Sequence, residues 1–170
     1  MTDDFDVLAA ALNRQQVRFV VMGVWGANYY ASTTATIFTT QDRDLFLPLD
    51  PENLLAAWKI CRDLGLDLWC GDEPLGEPMD RFLAERIVEH RALVRATGPQ
   101  GLQVDLTLVM AGFDFETVFR ERRTFLVSGV EIPVARLAHI VSSKEAAGRP
   151  KDLLFLASYQ EALEQLLGRE

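Results

Sequence analysis

The stretch FVVMGVWGANYYASTTATIFTTQDRDLFLPL, residues 19 to 49, decides the fold. It opens on an apolar run, Phe19-Val20-Val21-Met22, which stops at Gly23. It closes on Asp42-Arg43-Asp44 and a second apolar run, Leu45-Phe46-Leu47. A short aromatic segment and a hydroxyl-rich run lie between them. The pattern predicts strand, tight turn, short helix, loop, strand. Residues 17 to 22 are almost continuously apolar, which predicts a strand buried on both faces. Gly23 lets the backbone turn sharply, with a helix starting near Val24 or Trp25. The first N–H groups of that helix are a candidate phosphate cradle; a glycine that only relieves the turn is the plainer alternative. Asp42 and Asp44 are two residues apart, so on a strand both carboxylates point to one face. Like charges side by side repel unless a cation separates them. The usual solution is a divalent ion such as Mg²⁺, bound through a couple of carboxylates together with substrate phosphates.

Residues 32 to 40, Ser-Thr-Thr-Ala-Thr-Ile-Phe-Thr-Thr, are β-branched and hydroxyl-rich and make a poor helix. They are expected as a loop or an edge strand, with hydroxyls such as that of Thr40 as candidate triphosphate contacts. Further along, residues 102 to 109 alternate cleanly: Leu102, Val104, Leu106 and Leu108 on one face, Gln103, Asp105 and Thr107 on the other. An exposed Asp on a polar face is common. Its company here, Asp42 and Asp44 on a second strand expected as a neighbour, makes Asp105 the third acidic candidate. Residues 134 to 147 have helical period, with Leu137, Ile140 and Val141 on the inner face and Lys144 continuing that face. Gly148 ends this helix and Pro150 opens a last one, from residue 151 to about 167. Lys144, Arg149 and Lys151 put three cations within eight residues of a chain whose net charge is -8. Either they face the carboxylates and neutralise phosphate oxygens, or Arg149 and Lys151 are solvated and Lys144 pairs with a nearby Asp or Glu.

The rest of the chain reads as supporting structure. Asp3 or Asp4 caps a helix to about Arg14, and Asp50-Pro51 starts one that runs to Leu64 and ends at Gly65. Residues 67 to 70 form a short strand and 71 to 80 a loop; residues 81 to 88 give no firm assignment. Residues 90 to 97 read as a strand, 98 to 101 as a turn, and Phe113, Val118 and Phe119 as a helix. Residues 124 to 133 read as a hairpin turned at Ser128-Gly129. The 170 residues fit one domain, residues 1 to 170, without repeats or linkers. The acidic balance disfavours unspecific polynucleotide binding. Cys61 and Cys70, nine apart without a nearby His, read as reduced apolar fillers. No apolar run reaches the roughly 20 residues of a membrane span. With no leader pattern at the N-terminus the cytoplasm is the expected location.

Gly23, the Asp42-x-Asp44 pair, Asp105, Lys144 and the segment Gly148-Arg149-Pro150-Lys151-Asp152 together resemble the DNA polymerase β-like nucleotidyltransferase superfamily, in particular its small single-domain bacterial members. The resemblance runs from about residue 17 to about 159. It implies an α/β fold, a small mixed twisted sheet with flanking helices and a helical C-terminal end. It implies catalytic and metal-binding roles for Asp42, Asp44 and Asp105, and nucleotide binding by Gly23, Val24, Thr40, Lys144 and Arg149. It further implies Mg²⁺ as cofactor, a nucleoside triphosphate as substrate, and a protein, RNA end or small molecule as acceptor. Several small bacterial members belong to toxin–antitoxin pairs, so a toxin or antitoxin is an expected partner. The sequence departs from the pattern at Val24, where a second Gly or Ser is usual, at Phe38, where an Arg is common, and in the long gap from Gly23 to Asp42. Two rival functions are a non-catalytic nucleotide- or protein-binding module on the same fold, and a metal-dependent phosphoesterase. The lack of a His beside the carboxylates counts against many of the latter.

Overall fold

The computed structural model describes residues 3–32 and 34–170. Met1 and Thr2 of the acidic start, and Thr33 of the hydroxyl-rich run, lie outside them. The chain begins with α1 (Asp4–Arg14), capped by the Asp3 carboxylate, which accepts from the Phe5 N–H at 2.7 Å. Strand β1 (Val20–Met22) is shorter than the apolar run predicts, and α2 (Gly23–Ala31) follows it directly. The described residues of the hydroxyl-rich segment form a loop. Strand β2 (Arg43–Phe46) then leads to α3 (Pro51–Asp63), where Asp50 accepts from the N–H groups of Glu52 and Asn53 and Pro51 takes the first helical position.

Strands β3 (Asp67–Cys70) and β4 (Glu73–Pro74) form a small hairpin at one edge. Residues 81 to 88, without firm assignment from their pattern, are helical: α4 (Arg81–His90) starts at Asp80, whose carboxylate accepts from Leu83 N–H, and buries Ala84 and Ile87. The predicted strand from residue 90 is therefore only β5 (Val94–Thr97), since His90 still belongs to the helix. Strand β6 (Gln103–Thr107), α5 (Phe115–Arg120), β7 (Arg123–Val127) and β8 (Val130–Val134) follow. Ser128 and Gly129 take φ of 51° and 79° at the β7–β8 turn, the left-handed pair that a two-residue hairpin demands.

After α6 (Leu137–Ala147), the expected single last helix is two: α7 (Pro150–Ser158) and α8 (Gln160–Leu167), broken at Tyr159 with φ of -115°. The break lets Phe155 on one helix and Leu163 and Leu166 on the other enter the same small core with Phe38 and Leu137. A straight helix would carry one of these sets away from it.

The eight strands form one mixed sheet in the order β4-β3-β5-β6-β2-β1-β8-β7. The β2–β6 and β1–β8 pairs are parallel and the other five antiparallel. The expected α/β architecture, a mixed sheet with flanking helices and a helical end, is present. The main core packs α1 and α3 on the sheet around Phe5, Trp58, Phe19 and Phe46; each such fully buried side chain contributes roughly 1.5–3 kcal/mol.

Candidate active site

The sheet's centre sets the geometry. Met22 on β1 faces Asp44 on β2, Asp44 faces Asp105 on β6, and Asp105 faces Arg95 on β5. Residues paired across strands share a face of the sheet, so four adjacent strands bring Arg95, Asp105, Asp44 and Met22 into one row. Arg43, between the two aspartates in sequence, points to the opposite face. There its guanidinium lies 4.0 Å from the Trp25 ring centroid and 3.6 Å from Asp3. Trp25, in the first turn of α2, also packs edge-on against Phe5 and donates its indole N–H to the Tyr29 hydroxyl, so it belongs to the core.

Gly23 ends β1 at φ +70° directly beside Asp44. A Cβ built on Gly23 would stand 2.5 Å from Asp44 Oδ2, so glycine is required there both for the turn and for space. Asp42 lies just before β2. Its N–H donates to the Thr40 hydroxyl at 3.2 Å, a local turn that holds it at the strand's mouth. Burial, together with the charges of Asp105 and Asp42, pushes the Asp44 carboxyl up to about 6, against the pull of Lys144 and Lys151. Asp44 is therefore a carboxylate held among like charges and short of cations.

The cations arrive from the C-terminal helices. Lys144 on α6 and Arg149 at the start of α7 converge on Asp152, which is fully buried. Lys144 Nζ lies 3.3 Å from Asp152 Oδ1, and Arg149 donates through Nε to Oδ2 at 2.7 Å and through Nη2 to Oδ1 at 3.2 Å. Burial raises the Asp152 carboxyl, but the hydrogen bonds and charges of Arg149 and Lys144 outweigh it and leave the group below its ordinary value. Two cavities meet on this arrangement, both lined by Asp44, Lys144, Arg149 and Asp152. One, of about 390 Å³, continues past Val24, Thr39, Thr40, Asp42 and Lys151 to Tyr159. The other, of about 360 Å³, runs past Met22, Thr107, Met110, Ile140 and Ser143, and among the described residues its charged lining is Asp44, Lys144, Arg149 and Asp152.

The hydroxyl-rich loop is held over the first cavity by Phe38. Its N–H donates to Asn28 Oδ1, the Asn28 amide donates back to its carbonyl, both at 2.7 Å, and its ring meets Phe155 and Tyr159 edge-on. At the position where the resemblance leads one to expect an Arg, this chain has an anchor for the loop.

Gly23, Val24, Thr40, Asp42, Asp44, Lys144 and Arg149 each line one or both of the two cavities, whereas Asp105 lines neither and is turned towards Arg95, which donates to both its oxygens. Sequence reasoning did not single out Arg95, and it named Asp152 only as the end of the Gly148–Asp152 segment, without a role. The turn at residues 98 to 101 carries the signal for Arg95: a hairpin around it pairs Thr97 with Gln103, and hence Arg95 with Asp105. For Asp152 the signal is an acid at the third helical position after a Pro start, where it accepts from the Arg149 N–H. Asp42 and Asp44 suit a divalent cation that takes its remaining ligands from water and phosphate. Among the described residues, no three His, Cys, Asp or Glu side chains gather into a metal-holding group.

Neither protein-family models nor curated protein sequences match the chain. Solved structures do. The solution structure of the antibiotic-resistance factor ANT(2'')-Ia aligns with a TM-score of 0.52 at 13% identity, over 94% of this chain and 84% of its own. The crystal structure of an antigenic nucleotidyltransferase-like protein from Paracoccidioides brasiliensis aligns with a TM-score of 0.50 at 15% identity, over 96% and 84%. The chain has the nucleotidyltransferase fold. No helix among its described residues is long and apolar enough to cross a membrane.

Proposed function

We propose that the protein is a metal-dependent nucleotidyltransferase that transfers a nucleoside monophosphate from a nucleoside triphosphate to an acceptor hydroxyl. One observation carries the reading: Asp44, a carboxylate short of cations, sits where two cavities meet, with Lys144 and Arg149 on the facing wall. Asp42 and Asp44 would hold Mg²⁺, which when bound neutralises triphosphate oxygens and fixes them for in-line displacement.

The chain's own groups divide the remaining work. The cavity with Lys151, Thr39 and Thr40 suits the triphosphate: Arg149 by its fork, Lys144 and Lys151 as point charges, and the threonine hydroxyls as donors. Phe155 and Tyr159, which line the same cavity, would pack against the base. The second cavity suits the acceptor. As the acceptor oxygen bonds to the α-phosphorus, the bond from that phosphorus to pyrophosphate breaks, and the hydroxyl proton passes by way of water to Asp105, which lines neither cavity but lies beside Asp44 in the sheet. With Met22, Met110 and Ile140 along its wall, the acceptor cavity favours an uncharged group over a polycation or an RNA backbone. The Gly148–Asp152 segment, shared with small bacterial members, supports extending the proposal to a toxin or antitoxin partner.

A second reading, nucleotide binding without transfer, is favoured by the engagement of Asp105 with Arg95. Thermal denaturation with each of ATP, CTP, GTP and UTP, with and without Mg²⁺, and incubation of labelled nucleotides with a cell lysate separate the readings. Transfer requires Mg²⁺-dependent stabilisation by at least one nucleotide and a labelled product, both lost in Asp44→Asn. Stabilisation without any product supports the binding module, and stabilisation by none of the four overturns both.

A further inference from the structure

Asp105 differs from Asp42 and Asp44 in already having its cation. Arg95, directly across the β5–β6 ladder, donates Nε to Oδ1 at 2.7 Å and Nη2 to Oδ2 at 3.1 Å. This fork-on-fork contact is the strongest and most directional form of carboxylate pairing. The Asp105 side chain is 11% exposed and that of Arg95 40%, so the carboxylate is largely buried while its arginine keeps contact with solvent. A metal ion shared between Asp44 and Asp105 would have to bind the same carboxylate as a guanidinium that keeps its charge at every accessible pH, and the two cations would repel each other. Asp44, the next residue in the row, has no such partner among the described residues.

We infer that this site works with a single metal ion, on Asp42 and Asp44, and that Arg95 is the permanent cation of Asp105. The inference rests on the metal-dependent reading above and narrows it. Arg95 is then a positioning residue. It neutralises Asp105 beside Asp44, fixes the carboxylate in the plane of the fork, and leaves the second lone pairs of the two oxygens free for the acceptor proton. The guanidinium takes over at Asp105 the charge-balancing that a second ion would otherwise provide.

Binding of Mn²⁺ alone to the full chain, followed by the electron paramagnetic resonance of the free ion, tests this without reference to activity. One ion per chain is expected, weakened at least tenfold by Asp44→Asn. The double variant Arg95→Met/Asp105→Asn removes the pair without changing net charge and should bind Mn²⁺ within twofold of the parent. Arg95→Met alone frees Asp105 and should bind at least fivefold more tightly. Two ions in the parent, or a tenfold loss in the double variant, overturns the single-ion inference and leaves the nucleotidyltransferase reading standing. No Mn²⁺ binding by the parent, either alone or with a nucleoside triphosphate present, overturns both. If Arg95→Met does not fold, the stoichiometry of the parent and the affinity of the double variant decide.

Discussion

Lys144 Nζ lies 3.3 Å from Oδ1 of Asp152, a side chain with no solvent exposure. Arg149 grips the same carboxylate from its other side. One buried anion thus aligns two cations along the cleft wall opposite Asp44. Asp152→Asn leaves both cations without their counter-charge and should cost roughly 3 kcal/mol, the scale of breaking a buried pair from one side. Urea denaturation measures it; an unchanged midpoint would mean that the trio adds nothing to stability. The same pairing predicts acid sensitivity. A carboxyl held below its ordinary value contributes stability that is present above the unfolded value and is lost as pH falls through the folded one.

Asp44 should act with the opposite sign. Its carboxyl sits at about 6 when folded, and near about 3.9 when unfolded. Between those values the native state binds more protons, so stability falls as pH rises from about 4 to about 6 and levels off above. The full difference corresponds to roughly 3 kcal/mol, an upper figure for a group with some water access. In metal-free buffer Asp44→Asn should be more stable than the parent at pH 7.5, and the gain should vanish near pH 4. Stabilisation by Mg²⁺ should be absent in the variant and, in the parent, should fade below about pH 6. A variant less stable than the parent at pH 7.5 would identify Asp44 as a structural acceptor.

Gly23 and Asp44 are coupled by contact. Gly23→Ala imposes a left-handed backbone on alanine, costing about 1 kcal/mol, and drives a methyl to 2.5 Å from Asp44 Oδ2. Asp44→Ala removes that clash. A double-mutant cycle by chemical denaturation should therefore show Gly23→Ala to be milder in the Asp44→Ala background, by about 1 kcal/mol or more. Strict additivity would refute the close approach.

Lys144 lies on the wall of both cavities, 5.1 Å from the Phe155 ring centroid. Lys144→Met keeps the packing and leaves Asp152 with Arg149. It should cost no more than about 1–2 kcal/mol of stability, while weakening nucleotide binding, measured by calorimetry, by about tenfold. Unchanged affinity with a large loss of stability would confine Lys144 to an ion-pair role.

The chain's local chemistry was enough to place the strand ending at Gly23, the Asp42-x-Asp44 spacing, the alternation around Asp105, the Asp50-Pro51 helix start and the Ser128-Gly129 turn. Each depends on backbone conformation or side-chain period within a few residues, and these are properties of neighbouring residue types. Residues 81 to 88 were harder, because only Ala84 and Ile87 of that helix are buried and its face shows once α3 is there to cover it. The split at Tyr159 has no local cause either; it follows from Phe38 meeting Phe155 and Tyr159 across more than a hundred residues of chain. Only the tertiary structure decided that β2 and β6 pair in parallel, setting Asp44 beside Asp105, and that α6 and α7 turn Lys144 and Arg149 towards them. Strand order and helix docking are choices among long-range contacts, settled by how the whole core packs, and no short window of sequence carries them.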